Sequence, residues 1–228
     1  MRSIAVIGLG KFGSTVAREL TERGARVIAI DEDRERVEAI KESVAYAVTL
    51  NSTDKAALES VAIRDVDVAV VCIGEDVEAN LLTTLLLKKL GVKKIWARAI
   101  TELQLEILKT LEVDDIINLE EEMGITIAQT LASANVGRYI PLSEGHSIAE
   151  IKLPDVYVGK TLREINLREK HKINVVALKR FVPAIDDLGE RILKESIDNV
   201  PSSDEKLTDD VVLIVAGANR DIDRFSRG

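Results

Sequence analysis

Ser3-Ile4-Ala5-Val6-Ile7 runs directly into Gly8-Leu9-Gly10-Lys11-Phe12-Gly13, and an apolar helical pattern follows. A strand, a glycine turn and a helix in this order form a dinucleotide-type phosphate turn. The first glycine permits the tight turn, the second lets backbone approach a pyrophosphate, and the third lets helix pack on strand, with phosphates at the helix N-terminus. The helix is predicted to reach Arg23 with Gly24 as its cap, and a second strand, Val27-Ile28-Ala29-Ile30, ends in Asp31. An acidic side chain about 20 residues past the glycines accepts from ribose hydroxyls, which completes the fingerprint. The competing reading is that the glycines only shape a tight β-α turn.

Working outward, a charged helix is expected over 33–42 and a short strand at Ala47-Val48-Thr49. Asn51-Ser52-Thr53-Asp54 then supplies turn and N-cap chemistry for a helix to Ala62. The apolar run Val68 to Ile73 reads as a fourth strand ending at Gly74, followed by a long helix from Asp76 to Leu90 closed by Gly91. Strands at Ile95-Trp96-Ala97-Arg98-Ala99 and Asp115-Ile116-Ile117 flank a helix over 103–111. This alternation predicts an α/β fold, a Rossmann-like doubly wound parallel sheet covered on both faces. A crossover helix over 121–133 carries Met123, Ile125, Ile127 and Leu131, more apolar surface than one stripe, and so calls for a second partner.

Beyond Asn135 the texture changes. Strands at Ile148 to Lys152 and Asn174 to Leu178, with a brief helix over 161–165, precede a polar stretch containing Pro183 and Pro201. A last strand over 211–216 leads to a helix over 221–225. The expected division is a nucleotide-binding half with crossover helix over 1–139 and a small α+β domain over 140–228, with the boundary near Arg138 to Pro141.

At 228 residues the chain has room for one full and one small domain. No apolar run approaches a membrane span and the first residues read as a core strand rather than a signal peptide, so a soluble, cytoplasmic protein is expected. The net charge of -8 disfavours nucleic acid as a partner, since neutralising phosphates needs a basic face. Cys72, the single cysteine, excludes an internal disulfide and reads as a buried small hydrophobe.

Candidate nucleotide contacts are Gly8, Gly10, Lys11, Phe12 and Gly13 in the turn, Asp31, Asp54, and Ile73 with Gly74 at the end of the fourth strand. A carboxylate at Asp31 would repel a 2′-phosphate, which argues against NADP. Lys11 either meets the charge of a di- or triphosphate or is a solvated lysine at a helix start. Asp54 either touches base or ribose or is a plain N-cap. A dehydrogenase places a histidine, lysine or tyrosine beside the nicotinamide. Both histidines, His146 and His171, lie in the second half, which disfavours hydride transfer although the cofactor fold is present.

Several segments resemble the cytosolic regulatory subunits of Ktr and Trk potassium uptake systems. They are Ala5 through Gly13, Leu81-Leu82-Thr83-Thr84-Leu85-Leu86-Leu87-Lys88, Asn118-Leu119-Glu120-Glu121-Glu122-Met123-Gly124 and Val158-Gly159-Lys160-Thr161-Leu162. Pro201 followed by Asp209 through Gly217 is similar to the family's closing pattern. The segment Phe181 to Val200 is longer than the short turn the family has there.

The resemblance implies a nucleotide-gated subunit, with ATP or ADP and also NAD or NADH as ligands, controlling a multi-span membrane potassium transporter or channel subunit at the inner face of the membrane. Dimers of such chains join into an octameric ring. It further implies a divalent or sodium cation between protomers at Glu120, where a solvated helix start is the other reading. Asn166, Arg168, Ile173 and Asn174 resemble a cleft for cyclic di-adenosine monophosphate; ordinary surface residues and a purely dimerising domain are the alternatives. A small NAD-dependent oxidoreductase is the runner-up, and a redox sensor acting on DNA is weakened by the acidic charge.

Overall fold

Strand β1 (Ser3–Ile7) is buried on both faces, and its alternate residues enter two separate cores. Ala5 and Ile7 pack with Ile30, Leu58, Leu87 and Leu108, whereas Ile4 and Val6 pack with Ala17, Val27, Val37 and Ile40. A strand covered on both sides reads as a continuous apolar run, as parallel sheets require. The computed structural model describes residues 1–133, 135–185 and 189–228, which divide into two compact units, Met1–Glu121 and Glu122–Gly228.

In the first unit β1 is joined by β2 (Arg26–Asp31), β3 (Tyr46–Thr49), β4 (Val68–Val71), β5 (Ile95–Arg98) and β6 (Asp115–Ile117). All pairings are parallel, in the order β3-β2-β1-β4-β5-β6. The order reverses between β1 and β4, and ligands of such sheets bind in the crevice outside the strands' carboxyl ends at that point. The connecting helices are α1 (Lys11–Glu22), α2 (Arg34–Glu38), α3 (Lys55–Ser60), α4 (Val77–Lys89) and α5 (Glu102–Thr110). Four of them start on a side-chain cap: Asp33, Asp54, Asp76 and Thr101 each accept from a backbone N–H of the first turn. Of these five, only α1 begins on a residue, Gly10, that offers no side-chain cap.

Two sequence expectations shift here. The charged helix after Asp31 ends early, because Ile40 turns into the core and the chain passes through a single 3-10 turn, Lys41–Ser43. β4 stops at Val71, so Cys72 and Ile73 leave the sheet edge and line the crevice.

Helix α6 (Leu119–Ala132) has no buried residue; Met123, Ile125 and Ile127 are about half exposed and Leu131 is 81% exposed. The second unit is an antiparallel sheet of β7 (Val136–Ser143), β8 (His146–Lys152), β9 (Asn174–Ile185), β10 (Arg191–Asp198) and β11 (Val212–Ala218), in the order β10-β9-β11-β8-β7. Helices α7 (Leu162–Ile165), α8 (Leu167–His171) and α9 (Asn219–Ser226) accompany it, and Ile151, Leu178, Leu213, Val215, Ile222 and Phe225 form its core.

The polar stretch expected after Leu178 is instead the rest of a hairpin. β9 continues past Pro183 and pairs with β10 from Asp198 opposite Leu178 to Arg191 opposite Ile185; residues 186–188 of the segment Phe181 to Val200 lie outside the described residues. β11 pairs with β9 only from Asn174 to Lys179, so the outer half of the hairpin has one neighbour and stays exposed. Strand β7 has no counterpart in the expected elements, for only Val136 and Tyr139 along it are buried.

Candidate nucleotide-binding site

The carboxyl ends of the first unit's strands enclose a cavity of about 740 Å³. Gly8, Gly10, Lys11 and Phe12 from the turn after β1, Asp31 at the end of β2, and Ile73 and Gly74 after β4 all line it. Gly13 does not: it lies beneath, where an added Cβ would stand 1.9 Å from the Gly8 carbonyl oxygen. Gly8 itself has φ +93, a left-handed conformation, and backs onto Ile73. Gly10 faces open space, with nothing within 4 Å of where a Cβ would stand.

Asp31 is buried, 7% exposed, and fixes the turn from below. Its Oδ2 accepts from the Leu9 N–H at 2.5 Å and its Oδ1 from the Asp33 N–H at 2.9 Å, while Arg36 stands 3.7 Å away. Each carboxylate oxygen has a further lone pair, so the group can also accept from a ribose hydroxyl. At α1, Gly10 supplies no side-chain cap and the first turn holds no acidic residue. Its leading N–H groups and dipole therefore suit an anion, with Lys11 alongside.

Asp54 does not line the cavity. It caps α3, accepting from Ala56 N–H at 2.8 Å and Ala57 N–H at 3.4 Å, while Asn51, Ser52 and Thr53 just before it form the wall. Ser52 is anchored by a 2.8 Å hydrogen bond between its hydroxyl and that of Thr83. Sequence reasoning also missed Arg98. Its backbone carbonyl accepts from Asn80 Nδ2 at 3.1 Å and Gln104 Nε2 at 3.0 Å, and its side chain enters the cavity and pairs with Glu120. Asn80 also donates to the Ile73 carbonyl at 2.7 Å, locking the ends of β4 and β5 together. Burial pushes the Cys72 thiol up to about 12, against a smaller opposing pull from Arg98, so it stays protonated and inert.

Glu120, the expected cation ligand, is occupied by the Arg98 guanidinium. Among the described residues no three His, Cys, Asp or Glu side chains are grouped to hold a metal ion, at Glu120 or elsewhere. In the second unit the four candidate residues lie on neighbouring backbone, with the Ile173 N–H donating to the Leu167 carbonyl at 3.4 Å, but their side chains have different surroundings. Ile173 is fully buried in the core, Asn166 is left-handed and donates to Glu169 Oε2 at 2.7 Å, and Arg168 and Asn174 are exposed. A groove of about 490 Å³ there runs along Leu162, Arg163, Val175, Val176 and the 199–203 segment and includes none of the four. Among the described residues no helix is long and apolar enough to cross a membrane.

The model for the TrkA-N domain family matches residues 4–119. Ktr system potassium uptake protein C of Bacillus subtilis is 35% identical over 226 residues, covering 99% of this chain and 96% of that protein. The crystal structure of the GsuK RCK domain aligns over the whole chain at TM-score 0.66 and 16% identity, covering 48% of its own chain. A GsuK channel bound to NAD aligns over 99% of this chain and 39% of its own, at TM-score 0.64 and 17% identity. The chain thus spans under half the length of these GsuK chains, and the likeness is one of fold.

Proposed function

From the premise that this chain belongs to the TrkA-N family of potassium uptake proteins, we propose that it gates a membrane potassium transporter by binding an adenine nucleotide in the cavity of its first unit. Its role in potassium transport is that of a nucleotide-binding regulatory subunit. The observation that carries the ligand reading is the convergence of Gly8, Gly10, Lys11 and Asp31 on one cavity. The phosphates lie on the N-terminus of α1, and the ribose diol is held by Asp31. ATP and ADP, and NAD or NADH, share that adenosine half, whereas NADP would bring a phosphate against the Asp31 carboxylate.

The nucleotide acts as an effector rather than a reactant. Among the described residues lining the cavity there is no histidine or tyrosine to serve as the acid or base of hydride transfer, the lysine present, Lys11, stands in the glycine turn proposed for the phosphates, and the one thiol is held protonated. Functionally, the first unit is the nucleotide-binding half and the second the small regulatory half; the boundary expected between 139 and 140 moves ahead of β7, because Val136 and Tyr139 pack in the second core. The exposed apolar surface of α6 supports self-association, first as a dimer and then as a ring beneath the multi-span membrane partner on the cytoplasmic side. Completed by a second protomer, Glu120 is the proposed carboxylate for a divalent or sodium cation. Asn166, Arg168, Ile173 and Asn174 remain proposed for a cyclic dinucleotide only across such a dimer.

Calorimetry with ATP, ADP and NADH, followed by potassium flux through the reconstituted membrane partner, tests this. Binding without turnover and nucleotide-dependent flux are expected. Oxidation of NADH by a carbonyl substrate would restore the oxidoreductase reading.

A further inference from the structure

Arg98 is held in an unusual balance. Its backbone is clamped by Asn80 and Gln104, both buried, so the guanidinium has a fixed point of departure at the end of β5. The side chain is only 19% exposed and crosses the cavity wall over Gly74, where an added Cβ would meet Nη1 at 2.6 Å. Its Cζ stands 5.9 Å from the ring centroid of Phe12, in the phosphate turn itself. One arm, Nη2, reaches Glu120 Oε1, while Nε is buried without a hydrogen-bond partner among the described residues. A guanidinium carries five N–H donors in a fork made for two parallel bonds, and here a single carboxylate oxygen engages it through one arm. Glu120 is 54% exposed, so the competing pair is partly solvated and weak.

We propose that Arg98 is a ligand for the terminal phosphate of a nucleoside triphosphate and that it exchanges Glu120 for that phosphate when the nucleotide binds. A terminal phosphate offers three oxygens and more charge than one carboxylate, so it can take the fork in bidentate fashion and engage the idle donor. A diphosphate held by the same glycine turn is one phosphate shorter and leaves Arg98 on Glu120. The exchange frees a carboxylate in the first turn of α6, which gives the triphosphate a local effect that the diphosphate lacks. This inference rests on the adenine-nucleotide reading of the cavity.

The test is calorimetry of the full chain with ATP and with ADP in EDTA, so that no divalent cation intervenes. Arg98→Lys keeps the charge but loses the fork, and Arg98→Ala loses both. Each is expected to weaken ATP about tenfold while changing ADP by less than about threefold. Glu120→Gln removes the competitor and is expected to tighten ATP about threefold, an effect that disappears in the Arg98→Ala background. Circular-dichroism melting checks folding, and Arg98→Lys carries the test if Arg98→Ala does not fold. Equal losses of ATP and ADP in the Arg98 variants, unchanged ATP affinity in them, or weaker ATP binding by Glu120→Gln would each overturn the exchange. Parent protein that binds neither nucleotide would instead overturn the underlying nucleotide reading, and the exchange with it.

Discussion

The three glycines of the first turn do different work, and their substitutions separate binding from folding. At Gly10 the space is open and φ is -60, so Gly10→Val is expected to keep the parent melting temperature while abolishing nucleotide binding, because the new side chain occupies the approach to the phosphates. Gly13→Ala drives a methyl into the Gly8 carbonyl and should cost about 1–3 kcal/mol of stability by overpacking. A pair of melts and titrations distinguishes them; a Gly10→Val protein that is folded and binds normally removes the site. Asp31→Ala should weaken ADP and NADH alike, by about tenfold, since both present the same ribose diol. Loss of only one would mean that Asp31 braces the turn through Leu9 and Asp33 without touching ribose. This much is legible in sequence because the motif encodes backbone geometry at fixed spacing. Arg98 is not, since its entry to the cavity depends on the strand order that sets β5 beside β4 and on two buried amides from other helices.

At the level of elements, α3 and the aromatic cluster of the second unit carry the clearest expectations. Asp54→Ala removes the cap of α3 and should lower stability by about 1 kcal/mol with nucleotide affinity unchanged, as melting and calorimetry of one preparation would show. His171 packs edge-on against Tyr157 and Phe225, with a 3.2 Å hydrogen bond to the Tyr157 hydroxyl. Burial, then repulsion from Lys170 and Arg224, holds its pKa below the ordinary 6.5. The unfolded chain therefore takes up a proton on His171 at higher pH than the folded one, so this stability is complete above about pH 6.5 and drains away as pH falls through the folded value. The melting temperature of the parent should fall more steeply between about pH 7.5 and about pH 5 than that of His171→Gln; parallel slopes would refute this. The helices and central strands of the first unit are visible in sequence because burial on both faces writes long apolar runs. The outer half of the β9-β10 hairpin is not, because Phe181, Ile185 and Leu193 are exposed there and Pro183 imitates a loop signal.

For the molecule as a whole, the proposed switch needs two assemblies with different affinities for ATP and ADP. Moving a population from mostly one to mostly the other takes several kcal/mol of differential binding, which identical sites in the proposed ring would supply jointly. Potassium flux and small-angle scattering at saturating ATP should both differ from those at saturating ADP; equal flux with superimposable curves would leave a nucleotide-binding scaffold. The topology of the second unit has a further consequence, in the order of events at the ribosome. Among the described residues β7 pairs only with β8, and β10 only with β9; the strand that joins the two hairpins is β11, the last of the five to be synthesised. The first unit has its full parallel sheet once residue 117 has emerged, so it can fold while translation continues. The second must wait as two unjoined ribbons, each of marginal stability alone. A nascent chain arrested before Val212 would accordingly present a finished nucleotide fold trailing an open sheet, the stage at which a chaperone has most to hold.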